Sequence, residues 1–377
     1  MNPFIFDRPI ESGSFCNRPS EVHEIVKNIT SHTNMIVIGK RRFGKTTLIK
    51  HIINNDLPHN TVSVYVDLFS ITSEADFVRL IALAIAKTIA THKSVNQSLE
   101  SLRQAISILG SRLKFSISFM DVVTLSAELK PSEAKEALED ILNGFSTWLE
   151  SKKLSAFVVF DEFQQITSVQ KKYSIEAKLR SIIQFHKQIS YLFMGSRDHI
   201  IAAMFSNHSR PFYAQAVPIN VGALEKSVYW LWASRLLEKR HITLKEEAID
   251  ALFEISAGET RLNNQILHYI YETKQNSTVD AVEIHAISEE IIRSNDAFVR
   301  MWFDKFPLAQ KKALKIIALN RGKMYTAELM AQYDTERGTI SKAIESLIKQ
   351  DEVAKDNDRL IIKDRINELW IAKIAQQ

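Results

Sequence analysis

Along the first two hundred residues the spacing of apolar positions switches repeatedly between strand and helix periods. Asn34-Met-Ile-Val-Ile-Gly39 is a short β-rich run ending at a glycine and predicts a strand, and 46–53 then has the helical period. Residues 61–67 (TVSVYVD) alternate with β-branched side chains and predict a second strand. Over 74–90, Phe77, Leu80, Ile81, Leu83 and Ala84 recur at helical spacing, as in a crossover helix. The polar stretch 91–101 reads as solvated, and 113–129 alternates in places as a hairpin or strand insertion would. The role of the whole insertion, 92–130, is left open. Helices are predicted over 132–149 and 175–188, with buried strands at 156–160 (AFVVF) and 191–194 (YLFM). Strands alternating with helices imply a parallel sheet covered on both faces.

After Val221 the character changes. From 225 to 292 the periodicity is helical with no convincing strand, and 295–307 reads as a linker whose aromatics (Phe298, Trp302, Phe303, Phe306) need something to pack on. Helices then follow at 311–320, 326–332 and 335–350, the last with Thr335 as its N-cap and Ile340, Ala343, Ile344, Leu347 and Ile348 as its apolar face. Two strands flanking an Asp/Asn turn over 352–363 complete the plan of a winged helix.

Composition narrows the class. The chain has 377 residues, 45% hydrophobic and 24% charged, which excludes wholesale disorder, and its length accommodates two or three domains. Ten glycines and eight prolines favour helix-rich structure. The single cysteine, Cys16, excludes an intramolecular disulfide and a Cys-rich zinc site, and the 11 histidines show no H-E-x-x-H spacing. No run approaches 18 apolar residues and the opening lacks a secretory pattern, so a soluble, cytoplasmic protein with no membrane partner is expected. The net charge of +4 is small, but 307–377 holds 13 Lys/Arg against 10 Asp/Glu, which permits a nucleic-acid contact there without demanding one.

Chemistry concentrates in two motifs. Gly39-Lys40-Arg41-Arg42-Phe43-Gly44-Lys45-Thr46, followed by Thr47, matches G-x-x-x-x-G-K-[ST] between a predicted strand and a predicted helix. The glycines let the loop turn its N–H groups onto phosphate oxygens, and the new helix adds its positive end. Lys45 would reach the β- and γ-phosphates and the Thr46 hydroxyl would complete an Mg²⁺ shell. About 115 residues on, Asp161-Glu162 ends the apolar strand AFVVF, where a parallel sheet places ligand chemistry. Asp161 would hold Mg²⁺, and Glu162 would orient and deprotonate the attacking water, which points to hydrolysis. The strand YLFM ends in Gly195-Ser196-Arg197. Ser196 there either bonds the attacking water or γ-phosphate, or merely caps the next helix.

The combination GKRRFGKTT, VVFDEFQQI, LFMGSRDHIIAAMF and RPFYAQAVPI resembles the archaeal-type P-loop ATPases, a branch near the STAND signalling ATPases and the AAA+ replication initiators. Phe15-Cys-Asn-Arg18-Pro-Ser-Glu21 is similar to that family's F-x-x-R-x-x-E opening, which implies that Arg18 lies against the nucleotide base. Ile362-Lys-Asp364-Arg365-Ile-Asn-Glu-Leu-Trp370 resembles its D-P-x-x-x-x-W closing motif, with Arg365 in place of Pro. Ala257-Gly258-Glu259-Thr260-Arg261 is similar to the G-D-x-R sensor of AAA+ initiators, so Arg261 is the candidate for reaching the γ-phosphate from a lid; the plainer alternative is a surface ion pair. Arg210 serves either as an arginine finger for a neighbouring subunit or as a pin for its own loop.

The expected architecture is α/β: a P-loop NTPase (ASCE/AAA+-type) parallel-sheet core at 31–222, preceded by a base-contacting segment at 1–30. An all-α lid follows at 223–300 and a C-terminal winged-helix domain at 301–377. ATP (or ADP) with Mg²⁺ is the expected ligand, and an ATP-hydrolysing switch, with slow turnover, the expected function. The outer face of the last winged-helix helix offers Arg337, Thr339, Ser341, Lys342, Glu345 and Lys349. Duplex DNA through Arg337 and Lys342 and a protein client or homo-oligomer in a signalling or defence switch are both open as partners. A nucleotide-locked structural protein is a third, less favoured alternative, because Glu162 is intact.

Overall fold

Residues 156–161 (AFVVFD) are buried on both faces, which only a covered, central strand satisfies. The computed structural model describes residues 2–8, 15–16, 18–92, 106–109, 112–119, 123–319, 325–356 and 359–376. They form two compact units, Pro9–Gly222 and Met1–Arg8 with Ala223–Gln377.

In the first unit the strands are β1 (Met35–Ile38), β2 (Thr61–Asp67), β3 (Lys114–Phe119), β4 (Val123–Glu128), β5 (Ser155–Asp161), β6 (Ile189–Met194) and β7 (Val217–Asn220). Five of them make one parallel sheet in the order β2-β5-β6-β1-β7. The period of two along a strand splits its core. Phe157, Val159, Leu192 and Met194 pack with Ile25 and Ile29 of α1 (Pro19–Thr30) and with Leu48, Ile49 and Ile52 of α2 (Lys45–Asn55). On the other face Val158, Phe160, Tyr191 and Phe193 meet α3 (Glu74–Thr91) and the helix Ala134–Lys152. The insertion carries an antiparallel hairpin, β3 against β4, and 93–101 of the stretch read as solvated lies outside the described residues.

Three boundaries differ from the periodicity. β7 (VPIN) escaped detection because it is only four residues long and contains Pro218, which is tolerated on this edge strand, where a missing N–H costs no ladder bond to a second neighbour. The helix expected to reach Gln188 is Ser174–Ile183, since Phe185 faces solvent and the chain must enter β6 at Ile189. The 295–307 linker contains a helix, Asp296–Asp304, with Val299, Phe303 and Phe306 buried.

In the second unit, helices Lys226–Leu237, Glu246–Ser256, Thr260–Thr273 and Ala281–Ser294 build the predicted helical part. It also holds two three-residue strands, β8 (Ile242–Leu244) and β9 (Ser277–Val279), paired in parallel. Three residues are too few to establish a period of two. Helices Leu308–Leu319, Ala327–Gln332 and Arg337–Lys349 precede an antiparallel pair, β10 (Val353–Asp356) and β11 (Arg359–Ile362), the winged-helix arrangement, and Arg365–Gln376 closes the chain. Asn320 and the wing residues 357–358 lie outside the described residues. The cap expected at Thr335 is found one helix earlier: Thr326 Oγ1 accepts from the Leu329 N–H at 3.2 Å, whereas Glu336 precedes the last of the three helices without a side-chain cap.

Candidate active site

Because β6 lies between β5 and β1, the loops after these three strands open side by side at the carboxyl edge of the sheet. The first is the phosphate loop. Gly39 leaves β1 so close to β7 that a Cβ there would strike the Val221 carbonyl, and Gly44 enters α2 at φ 90°, the left-handed region that favours glycine. Phe43 is buried, the Lys40 ammonium sits 5.8 Å from its ring centroid, and Arg41 is exposed. Arg42 takes a left-handed conformation at φ 67°, and Thr47 lies half-buried in the first turn of α2.

Lys45 is buried at the start of α2. Its ammonium donates to the carbonyls of Gly39 and, at 3.2 Å, Lys40, and to Asp198 Oδ1 at 3.3 Å. Burial pushes its pKa below the ordinary lysine value, and the Asp198 carboxylate pulls against that shift.

The second loop carries the acidic pair. Thr46 Oγ1 donates to Asp161 Oδ2 at 3.4 Å, so the two residues read as metal ligands come together. The Tyr65 hydroxyl, from β2, bonds the same oxygen, while Asp161 Oδ1 accepts from the Glu162 N–H at 2.9 Å. Burial raises the Asp161 pKa, opposed by the Tyr65 hydrogen bond, and both burial and the Asp161 charge raise that of Tyr65. Glu162 adopts φ 54°, ψ 36°, an uncommon conformation for a residue with a Cβ.

The third loop meets Glu162. Ser196 Oγ donates to Glu162 Oε2 at 2.8 Å, the Ser196 N–H points to the same oxygen at 3.4 Å, and the buried Gln164 amide donates to it as well. Gly195 makes this possible, because a Cβ there would occupy the position of Gln164 Oε1.

The remaining expected residues are placed elsewhere. Arg18 is buried, and its guanidinium donates to Glu21 at 2.7 Å and to the carbonyls of Phe43 and Gly222, each at 2.9 Å, so it braces the phosphate loop from behind. Arg210 donates through both Nε and Nη2 to the fully buried Glu176 and lies 4.3 Å from the Tyr173 ring centroid, which pins its own loop. Arg261 belongs to the second unit, where its Nε donates to the Phe6 carbonyl at 3.2 Å. Arg337 and Lys342 are exposed, with the Arg337 guanidinium 5.2 Å from the Tyr325 ring centroid. Cys16 is buried, which pushes its thiol up to about 12 and leaves it protonated and inert at neutral pH. Tyr65, Gln164, Gly195 and Asp198 were not expected. Gln164 follows Glu162 by two and Asp198 follows Ser196 by two, but spacing alone does not tell which loops converge.

Residues 15–230, more than half of the chain and the whole of this constellation, match the family described as "ATPase domain predominantly from Archaea". The chain belongs to this family. As an archaeal-type ATPase it is a nucleotide-binding P-loop ATPase, and its fold is of AAA+-like type. Among solved structures it is similar to a Walker-type ATPase of Pyrococcus abyssi, at 14% identity with a TM-score of 0.67, over 98% of this chain and 99% of that one. It is also similar to the ORC2 protein of Aeropyrum pernix in its ADP form, at 15% identity with a TM-score of 0.52, over 99% of this chain and 97% of that one. At these identities the likeness is one of fold. No curated protein sequence matches the chain. Among the described residues no helix of this archaeal-type ATPase is long and apolar enough to cross a membrane.

Proposed function

We propose that this protein is an Mg²⁺-dependent ATP-hydrolysing switch whose nucleotide state is transmitted to its helical and winged-helix unit. The observation that carries the reading is the convergence of three strand-end loops: Thr46 on Asp161, Lys45 on the residue after Arg197, and Ser196 on Glu162. The loop N–H groups of 39–46 and the Lys45 ammonium would bind the phosphates, with Lys40, Arg41, Arg42, Phe43 and Thr47 completing the loop's contacts. Thr46 and Asp161 form an all-oxygen donor pair that fits Mg²⁺, a hard ion that takes one or two protein ligands and completes its shell with phosphates and water. When bound there, Mg²⁺ would neutralise charge developing on the phosphate oxygens. Ser196 and Gln164 fix Glu162 through Oε2, and Oε1, which none of those three bonds uses, accepts the proton of the attacking water.

Arg18 acts on the nucleotide by bracing the phosphate loop, and Arg261 is the candidate for coupling nucleotide state to the second unit. The winged helix exposes Arg337 and Lys342 and would place them on duplex DNA. A second reading, a switch that acts on protein, is favoured by the exposed Glu345 on the same helix and Glu336 just before it, which weaken an attractive field for phosphate.

The deciding experiment is ATP turnover by wild type, Lys45→Ala and Glu162→Gln, with and without duplex DNA at two salt concentrations. Lys45→Ala should lose nucleotide binding; Glu162→Gln should keep it and lose about 10²–10⁴-fold in turnover. Wild-type rates for Glu162→Gln would remove that residue from the mechanism. Stimulation by DNA that fades with salt and with Arg337 and Lys342 substitution supports the DNA reading; indifference to DNA supports the protein-directed one.

A further inference from the structure

We propose that Asp198 is a specificity-determining residue of the nucleotide site, an internal anion that holds Lys45 and disfavours a triphosphate relative to a diphosphate. The inference rests on the reading of Lys45 as the phosphate-binding lysine. Asp198 is not part of the phosphate-loop motif or of the acidic pair, yet its Oδ1 lies 3.3 Å from the Lys45 ammonium.

Its position in the fold gives the contact direction. Asp198 follows Ser196 by two residues on the loop leaving β6, and the Ser196 hydroxyl rests on Glu162, the residue that faces the attacking water. On that reading of Glu162, the loop that carries Asp198 borders the place of a γ-phosphate, which a diphosphate leaves empty.

The energetics follow from charge and burial. The Lys45 side chain is 8% exposed and that of Asp198 is 23% exposed, so the pair is only partly screened by solvent. A buried ammonium lacking an anionic partner is costly, and Asp198 supplies that partner while no phosphate is present. A triphosphate must share Lys45 with this carboxylate or displace it, and in either case two negative groups meet at short range. A diphosphate pays less of that repulsion, and the difference between the two ligands is what sets selectivity. A carboxylate at the start of helix Asp198–Ser206 would also favour the helix end, but that role is indifferent to which nucleotide binds.

Binding of ADP and of a non-hydrolysable ATP analogue, both with Mg²⁺, tests this by calorimetry on the full chain. Asp198→Asn keeps the shape and removes the charge, and should tighten the analogue by about tenfold, with a change in ADP affinity of less than about threefold. Asp198→Ser, which also removes the charge, should behave like Asp198→Asn, and Asp198→Glu should keep the wild-type ratio. Equal shifts for both nucleotides, or no shift, with Lys45→Ala still abolishing binding, would overturn the inference and leave the site assignment intact. Normal binding by Lys45→Ala would instead overturn the assignment on which it rests.

Discussion

The guanidinium of Arg18 donates to the carbonyl of Phe43 at 2.9 Å, joining the residue just before α1 to the middle of the phosphate loop. The same side chain holds Gly222 and Glu21 and is 4% exposed, so its removal orphans two carbonyls and a carboxylate behind the loop. Arg18→Ala should cost about 2–4 kcal/mol in stability and weaken nucleotide binding by roughly tenfold. Urea melts and nucleotide titrations on the same preparation measure both. Arg18→Lys should recover only part of the loss, because an ammonium does not reproduce the planar fork that reaches three partners.

Gly195→Ala tests the support of Glu162 without removing a polar atom. The added methyl collides with Gln164 Oε1, and the displaced amide releases Glu162 Oε2. Turnover should fall by about 10–100-fold, because a carboxylate misplaced by about an ångström loses alignment with its water. Nucleotide affinity should change by less than about twofold, since the phosphate loop is not involved. An equal loss in affinity would place the defect in binding.

His186 sets a pH dependence of stability. Its Nδ1 lies 2.7 Å from the Tyr191 hydroxyl, and burial lowers its pKa from 6.5 to about 4. Between those values the unfolded chain binds a proton that the folded chain refuses, so folding stability is complete above pH 6.5 and declines as pH falls toward 4. The loss is on the order of 2–3 kcal/mol. His186→Asn should be less stable than wild type at pH 7.5, and the gap should narrow toward pH 4 as the wild type loses this contribution. A constant gap across that range would show that His186 does not titrate this way.

Arg365, placed by the resemblance to a D-P-x-x-x-x-W motif at the proline position, is a tie within the second unit. It donates to the carbonyls of Ile255 at 2.6 Å and Glu254 at 3.2 Å and pairs with Glu368 at 2.6 Å, with 6% of its surface exposed. Arg365→Ala should destabilise the second unit by about 3 kcal/mol in chemical denaturation. Arg365→Pro should destabilise it comparably, because a pyrrolidine ring cannot donate to either carbonyl.

The local patterns were enough for the chemistry that depends on neighbours in sequence. Gly39 to Thr46 announces a phosphate loop, and AFVVF followed by Asp161-Glu162 announces an acidic strand end, because in each case the backbone geometry and the reactive groups come from one short segment. The continuous apolar runs 156–160 and 191–194 likewise called for a sheet covered on both faces, as found. What those patterns left open is the order of strands. Only with β6 between β5 and β1 do Ser196, Gln164 and Glu162 meet, and only there does Asp198 reach Lys45. The same holds for Arg18: the resemblance implied a base contact, and the fold adds partners 25 and 204 positions away that tie it to the phosphate loop. Short segments such as β7, β8 and β9 were hidden for a related reason: three or four residues carry too little periodicity, and their conformation is imposed by the neighbours they pair with.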